Sequence, residues 1–172
     1  MKAPKIPIFS IAVFNAIRKT IGTLPPESGG LLAGSRKTGV ITFFHFDTRA
    51  KCSSVGYSPD TVTLNRLLVK LNAEGMDMMG FVHSHPAGLH YPSGGDKYYC
   101  RKIFAANPEL PFLIIPIVNS SATGSPFRIR VFVATPTGGE VAIWRVPLNA
   151  GKMKKIIPEI NITVTATRQL IS

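Results

Sequence analysis

Acidic side chains are scarce in this chain. Nine Asp and Glu stand against twenty Lys and Arg among 172 residues, a formal charge of +11. A surplus of that size points to an acidic or polyanionic partner or, more blandly, to a solvated basic surface. Its densest groups are Lys152, Lys154 and Lys155 near the end, and Lys97, Arg101 and Lys102 in the middle. Nucleic acid is not favoured as the partner, because no helix-turn-helix, RNP-like or zinc-finger pattern accompanies the charge. Charged residues of both signs make up only 17% of the chain and apolar ones 45%, against about 25% charged in a typical soluble domain. A globular fold with some apolar surface left for a partner is expected. Cysteine is also rare. Cys52 and Cys100 cannot make a disulfide framework, which fits a reducing compartment and predicts a cytoplasmic protein. No apolar run reaches the ~18 residues of a membrane span, so no membrane association is expected. Met1 to Lys5 followed by Ile6–Ile17 has the outline of a signal peptide, but Ser10 and Asn15 interrupt it and no small-x-small cleavage site follows.

The length suits one domain and is too short for two ordinary ones. We place that domain in residues 1–150, with 151–172 as a C-terminal extension. There is no internal repeat or low-complexity tract. Ile11, Phe14, Ile17 and Ile21 recur at helical spacing and predict an amphipathic core helix behind a short strand. Gly30–Gly34 and Val40–Phe46 read as strands joined by a turn, and Asp47–Tyr57 as a polar connection without a period. Ser58-Pro59-Asp60 predicts a helix start, with Ser as cap and Pro at the first position. Leu64, Leu67, Leu68 and Leu71 supply its apolar stripe, and Gly75 its end. Gly80–His85 is a strand, and a helix opening at Asp96 runs to about Ala106, stopped by Asn107-Pro108. Phe112–Val118 is a buried strand. Arg128–Ala134 and Val141–Val146 form a hairpin about Thr137-Gly138-Gly139. Ile160, Ile162 and Val164 alternate with polar residues, as an edge strand would. Helices and strands mix without regular alternation, predicting an α/β sandwich around a mixed sheet.

Chemistry concentrates in one place. His83, His85, Ser93 and Asp96 lie within fourteen residues, in Phe81-Val82-His83-Ser84-His85-Pro86 and Pro92-Ser93-Gly94-Gly95-Asp96. Histidines at i and i+2 of a strand point to one face and can chelate one ion. Pro86 then takes the chain out of the ladder. Asp96, at a helix start, can add an anionic ligand. Two imidazoles and a carboxylate leave a tetrahedral zinc with one open corner, the pattern of catalytic rather than structural sites. Ser93 and Asp96 also form an ordinary helix-start signature, with Ser as N-cap and an acid three residues on. The two roles are compatible, since one carboxylate has two oxygens.

Upstream, Glu27 sits in Pro25-Pro26-Glu27-Ser28-Gly29-Gly30-Leu31-Leu32-Ala33-Gly34. By itself it is a loop acid after a Pro-Pro turn. Taken in order, however, Glu, then His-Ser-His-Pro, then Ser-x-x-Asp resembles the JAMM motif of MPN-type metallopeptidases. Seven residues separate His85 from Ser93, and two separate Ser93 from Asp96, as in that motif. The Glu-Ser-Gly-Gly-x-Leu-x-Gly context is similar to the small bacterial members, the Prok-JAB type, from the first helix to about Trp144.

The resemblance implies the MPN fold, which is cytidine deaminase-like: a mixed central β-sheet flanked by helices. It implies zinc on His83, His85 and Asp96, Glu27 as the base that relays a proton from water to the leaving amine, and Ser93 as an oxyanion donor. The implied activity is that of a zinc (iso)peptidase, deubiquitinase-like, cutting amide bonds at the C-terminus of a ubiquitin-like protein. The implied companions are ubiquitin-like activating and conjugating enzymes, among them those of antiphage defence. Two alternatives stand beside this reading: a peptidase maturing a small sulfur-carrier protein, and a catalytically silent MPN scaffold. Cys100 shares the helix face of Asp96 and reads either as a competing ligand or, as free cysteines usually do, as a small buried apolar residue. His90 reads as a mobile rim residue, and His45 as a strand residue without catalytic duty.

Overall fold

The computed structural model describes residues 6–54, 56–124 and 126–148. The lysines at 152, 154 and 155, the edge strand expected around Ile160–Val164 and the whole extension 151–172 lie outside the described residues. The described chain runs β1 (Ile8–Phe9), α1 (Ile11–Lys19), β2 (Gly29–Ser35), β3 (Val40–Phe46), β4 (Lys51–Ser53), β5 (Gly56–Ser58), α2 (Thr61–Ala73), β6 (Asp77–His85), α3 (Gly94–Ala106), β7 (Leu113–Asn119), β8 (Arg128–Thr137) and β9 (Glu140–Val146). Seven strands form one sheet in the order β1-β3-β2-β6-β7-β8-β9, and β4 and β5 form a separate hairpin. β1–β3 and β6–β7 pair parallel and the other neighbours antiparallel, so the sheet is mixed as expected.

Alternation divides the sheet into two faces. Leu32, Val82, Ile114, Val118 and Val131 pack with Val13 and Ile17 of α1 on one. On the other, Phe81, Ile115, Ile117 and Phe132 pack with Cys100 and Phe104 of α3, while Leu31 and Ala33 meet Leu64 and Leu71 of α2. β7 is buried along its whole length, because helices cover both of its sides. Gly80 marks the tightest crossing. A Cβ there would overlap the carbonyl oxygen of Ile114, and its φ of 152° is one that L side chains rarely adopt. The β2–β6 register shifts beside it, between Leu32 and Ala33, as a bulge would require.

Three readings need correction. The buried stripe of α1 is Val13 and Ile17, continued by Ile21 beyond the helix, whereas Ile11 is exposed. Ile17 and Ile21 hold the expected stripe, and Val13 completes it in place of Ile11, the first residue after the Ser10 cap. The cap of α2 is Asp60, whose carboxylate accepts the Thr63 amide at 3.3 Å and hydroxyl at 2.6 Å. Ser58 instead ends β5. The connection 47–57 is not irregular throughout, since it contains the β4–β5 hairpin.

Candidate metal centre

β6 brings both histidines to its carboxyl end on the α3 face, and both are buried. Their Nε2 atoms lie 2.8 Å apart. Asp96, in the first turn of α3, places Oδ1 2.9 Å from Nε2 of His83 and Oδ2 3.4 Å from Nε2 of His85. One ligand atom from each residue thus falls within 4.8 Å of the others. Among the described residues this is the one such group.

The aspartate is held by its own helix. The Ser93 amide and hydroxyl donate to its Oδ2 at 2.6 and 2.8 Å, and its amide donates to Ser93 Oγ at 3.2 Å. This capping box satisfies helix donors while leaving Oδ1 turned toward His83. Burial alone would raise the Asp96 carboxyl. Hydrogen bonds from His83 and His85 and the charge on His83 outweigh it and hold the group well below the usual carboxylate range. Ser93 is exposed and its hydroxyl is committed to Asp96, so donating to a substrate oxygen requires it to turn away from that bond.

The donor set fits a divalent cation. Two nitrogen lone pairs and one carboxylate oxygen converge on a single buried point, the N/O chemistry that zinc accepts. The Nδ1 atoms of both histidines are buried and unpartnered among the described residues. Aromatic packing holds the His83 ring. The ring of His83 lies nearly parallel to Tyr57 (6.2 Å, 10°) and to Phe81 (5.8 Å, 27°).

Glu27 precedes β2 and is half-buried. Ser84 donates its amide to the Ser28 carbonyl (2.8 Å), and the Ser28 amide donates to Ser84 Oγ (2.9 Å). These bonds extend the β2–β6 contact one residue past Gly29↔His83, and Glu27 is the next residue out along the chain. Its amide is fixed on the Ser53 carbonyl of β4 (2.8 Å), and its carboxylate makes no hydrogen bond or ion pair among the described residues. It stands one strand over from the ligand group and outside it.

Cys100 is fully buried among Phe81, Phe104 and Ile115. Burial, then the negative charge of Asp96, pushes its thiol up to about 12, and its sulfur is not one of the clustered donor atoms, which fits the small buried apolar residue. His90 is tethered rather than free. Its Nδ1 lies 2.8 Å from Asn119 Oδ1, while Asn119 Nδ2 donates to the Leu89 carbonyl at 3.2 Å. His45 is half-buried in β3, and burial lowers its imidazole pKa against the opposing pull of Asp47.

Two site residues escape a reading of the sequence alone. Tyr57 lies in what reads as a polar connector, yet it walls His83, with its hydroxyl donating to Asp47 at 3.2 Å. Asn119 ends β7 and pins the loop between the histidines and Ser93. The one signal for Tyr57 is an aromatic residue directly before the Ser-Pro-Asp helix start; for Asn119 there is none.

Residues 13–132, more than half of the chain, match the family of prokaryotic homologs of the JAB domain. The chain belongs to that family, and its mixed α/β fold is that of the JAB/MPN domain. Among solved structures, a protein from Desulfitobacterium hafniense determined in solution is 20% identical, with a TM-score of 0.59 over 84% of this chain and 93% of that one. A JAB1/MPN domain protein from Archaeoglobus fulgidus is 19% identical, with a TM-score of 0.45 over 86% of this chain and 99% of that one. No curated protein matches the sequence. Among the described residues, no helix is long and apolar enough to cross a membrane.

Proposed function

We propose that this protein is a zinc metallopeptidase that hydrolyses the amide or isopeptide bond at the C-terminus of a ubiquitin-like protein. The observation that carries the reading is the convergence of His83 Nε2, His85 Nε2 and Asp96 Oδ1 on one buried point. A zinc ion held there supplies a Lewis acid and lowers the pKa of water from about 16 to about 7. Glu27, two residues before β2, takes the proton of the attacking water and returns it to the leaving amine, general acid–base work typically worth about 10²–10⁴-fold. Ser93 releases Asp96 to donate its hydroxyl to the developing oxyanion, a contribution of roughly 10²–10³. Tyr57 and Phe81 hold His83, while Asn119 holds the loop that carries Ser93.

The substrate class rests on the family and on the shape of the rim. The loop from Pro86 to Pro92 leaves β6 at the ligands, where an extended tail can lie against backbone and offer alternate side chains to pockets. The test is hydrolysis of fusions bearing a ubiquitin-like protein before the scissile bond, with and without chelator. Expected is chelator-sensitive cleavage after the terminal Gly-Gly, tolerant of the residue that follows. Cleavage indifferent to chelator overturns the metal chemistry. Equal cleavage of unrelated unstructured peptides overturns the substrate class. A preference for a sulfur-carrier fusion over a conjugate selects maturation over deconjugation.

A further inference from the structure

The rows of side chains that begin with the histidines continue across β7, β8 and β9. His85 is level with Asn119, and Asn119 with Arg128; His83 is level with Ile117, and Ile117 with Arg130. One row further, Phe132 faces Arg145. Cross-strand partners share a face, so Arg128, Arg130 and Arg145 stand on the same side of the sheet as the ligands. With strands about 4.8 Å apart, the ledge starts roughly 10 Å from them. Arg130 is half-buried and aimed: its Nη1 donates to Asn119 Oδ1 at 3.0 Å, leaving most of the guanidinium fork unspent. Arg128 and Arg145 are exposed, and among the described residues none of the three makes an ion pair with an acid. Tyr91 is 63% exposed and lays its ring 5.8 Å from that of Phe132, the partner of Arg145. On the other side of β6 the surface is more apolar, with Thr61, Asn65 and Asn107 as its polar members. There, beyond β6, a cavity of about 130 Å³ is lined by Leu31, Tyr57, Leu64, Phe81 and Tyr99.

We propose that Arg128, Arg130 and Arg145, with Tyr91 between them, form a carboxylate-recognition ledge for an acidic segment of the polypeptide substrate, next to the bond that is cut. The proposal rests on the peptidase reading for the statement that the ligand is a polypeptide. Three unpaired guanidiniums on one ledge repel one another, and carboxylates relieve that repulsion while using planar, paired donors. A nucleic acid is the poorer fit, because it calls for a continuous basic track and elements that reach bases. Here the arginines make a compact patch whose one aimed member is fixed from below. The approaches on the two sides of β6 thus differ in chemistry, so the substrate is read in one direction.

The experiment uses matched ubiquitin-like fusions carrying either Asp-Glu or Asn-Gln, placed before or after the scissile bond. Wild type should favour the acidic version at one of the two placements by about tenfold in kcat/KM, the size expected of two or three exposed charge contacts. Arg128→Glu/Arg145→Glu should erase that preference and leave the neutral fusion unchanged, and Arg130→Gln should weaken it. Raising the salt should do likewise. Equal turnover of acidic and neutral fusions overturns the ledge while leaving the peptidase standing. Binding is measured separately on Glu27→Gln with labelled acidic and neutral peptides. Arginine-dependent binding of the acidic peptide, with no fusion hydrolysed by wild type, keeps the ledge and removes the peptidase. A single-stranded oligonucleotide that binds more tightly than the acidic peptide, and loses its affinity in the same arginine variants, overturns the carboxylate assignment.

Discussion

Gly29 and His83 sit opposite one another across the β2–β6 ladder, and the ring of Tyr57 fills the space that a side chain on Gly29 would take. A Cβ there would stand 2.5 Å from the Tyr57 ring, the same ring that stacks on His83. The absent side chain thus leaves room for the ring that stacks on His83. Gly29→Ala should push Tyr57 out and cost about 1–3 kcal/mol, as overpacking usually does. The Tm should fall and metal affinity with it. Tyr57→Phe keeps the ring, loses only the bond to Asp47 and should retain metal. Equal metal affinity in Gly29→Ala and wild type would refute the link.

Purified protein should carry one zinc per chain. Elemental analysis of His83→Ala/His85→Ala should find none. Asp96→Asn should bind far more weakly, because its neutral amide does not offset the ion's charge, and it also weakens the cap of α3, with a loss of about 1 kcal/mol. Stoichiometric zinc in the double variant would place the ion elsewhere.

Glu27→Gln preserves shape and removes the proton acceptor. Zinc content should persist while kcat drops by about 10²–10⁴. Ser93→Ala removes an oxyanion donor and one half of the capping box together, so its kcat should fall and its Tm should fall too. Ser93→Thr keeps the cap and should restore the Tm. A Glu27→Gln enzyme with near-normal turnover would move the proton relay to another group.

The two thiols should separate cleanly. Cys52 is exposed and Cys100 fully buried. Burial, with the charges of Asp47 and Glu27, raises the Cys52 thiol as well, so its alkylation should be slow at neutral pH and speed up in base. Mass spectrometry of native protein should find a single adduct, and a second only after denaturation. Modification of Cys100 in native protein would show that α3 opens readily.

Acid should weaken one tie between β2 and β6. Asp77 pairs with the Arg36 guanidinium at 2.8 Å and accepts its amide at 2.9 Å. Burial alone would raise the Asp77 carboxyl, but those bonds and the charge of Arg36 hold it below its usual value. A depressed folded-state pKa gives stability that is present above the unfolded value of about 3.9 and is lost as pH falls through the folded one. The Tm difference between wild type and Asp77→Asn should therefore be present at neutral pH and close in acid. A difference that grows in acid would reverse the sign.

The ligand group was legible because its members are near in sequence and each obeys a local rule. His83 and His85 follow strand alternation, Ser93 and Asp96 follow helix capping, and the sheet brings the two ends together. Tyr57 and Asn119 follow no such rule. Their places depend on how a hairpin folds back over β2 and on which residue of β7 lies level with His85. Register of that kind is fixed by the whole sheet. In α1 the expected Ile17 and Ile21 are buried, and only its first turn differs, where Val13 rather than Ile11 faces the core. The mixed α/β architecture needed only the count and order of periodic segments.

The capping box that holds Asp96 also sets the address of the third ligand. Its position is counted from the first turn of α3, and the histidines are counted from the end of β6. The stretch from Pro86 to Pro92 is therefore a spacer between two fixed datum points. Its seven-residue length belongs to the motif and Asn119 ties it at Leu89 and His90, so the side chains it carries, rather than its length, are what can vary while His83, His85 and Asp96 keep their places. On the proposed function, what the rim grips and what holds the metal are therefore set by different stretches of this chain.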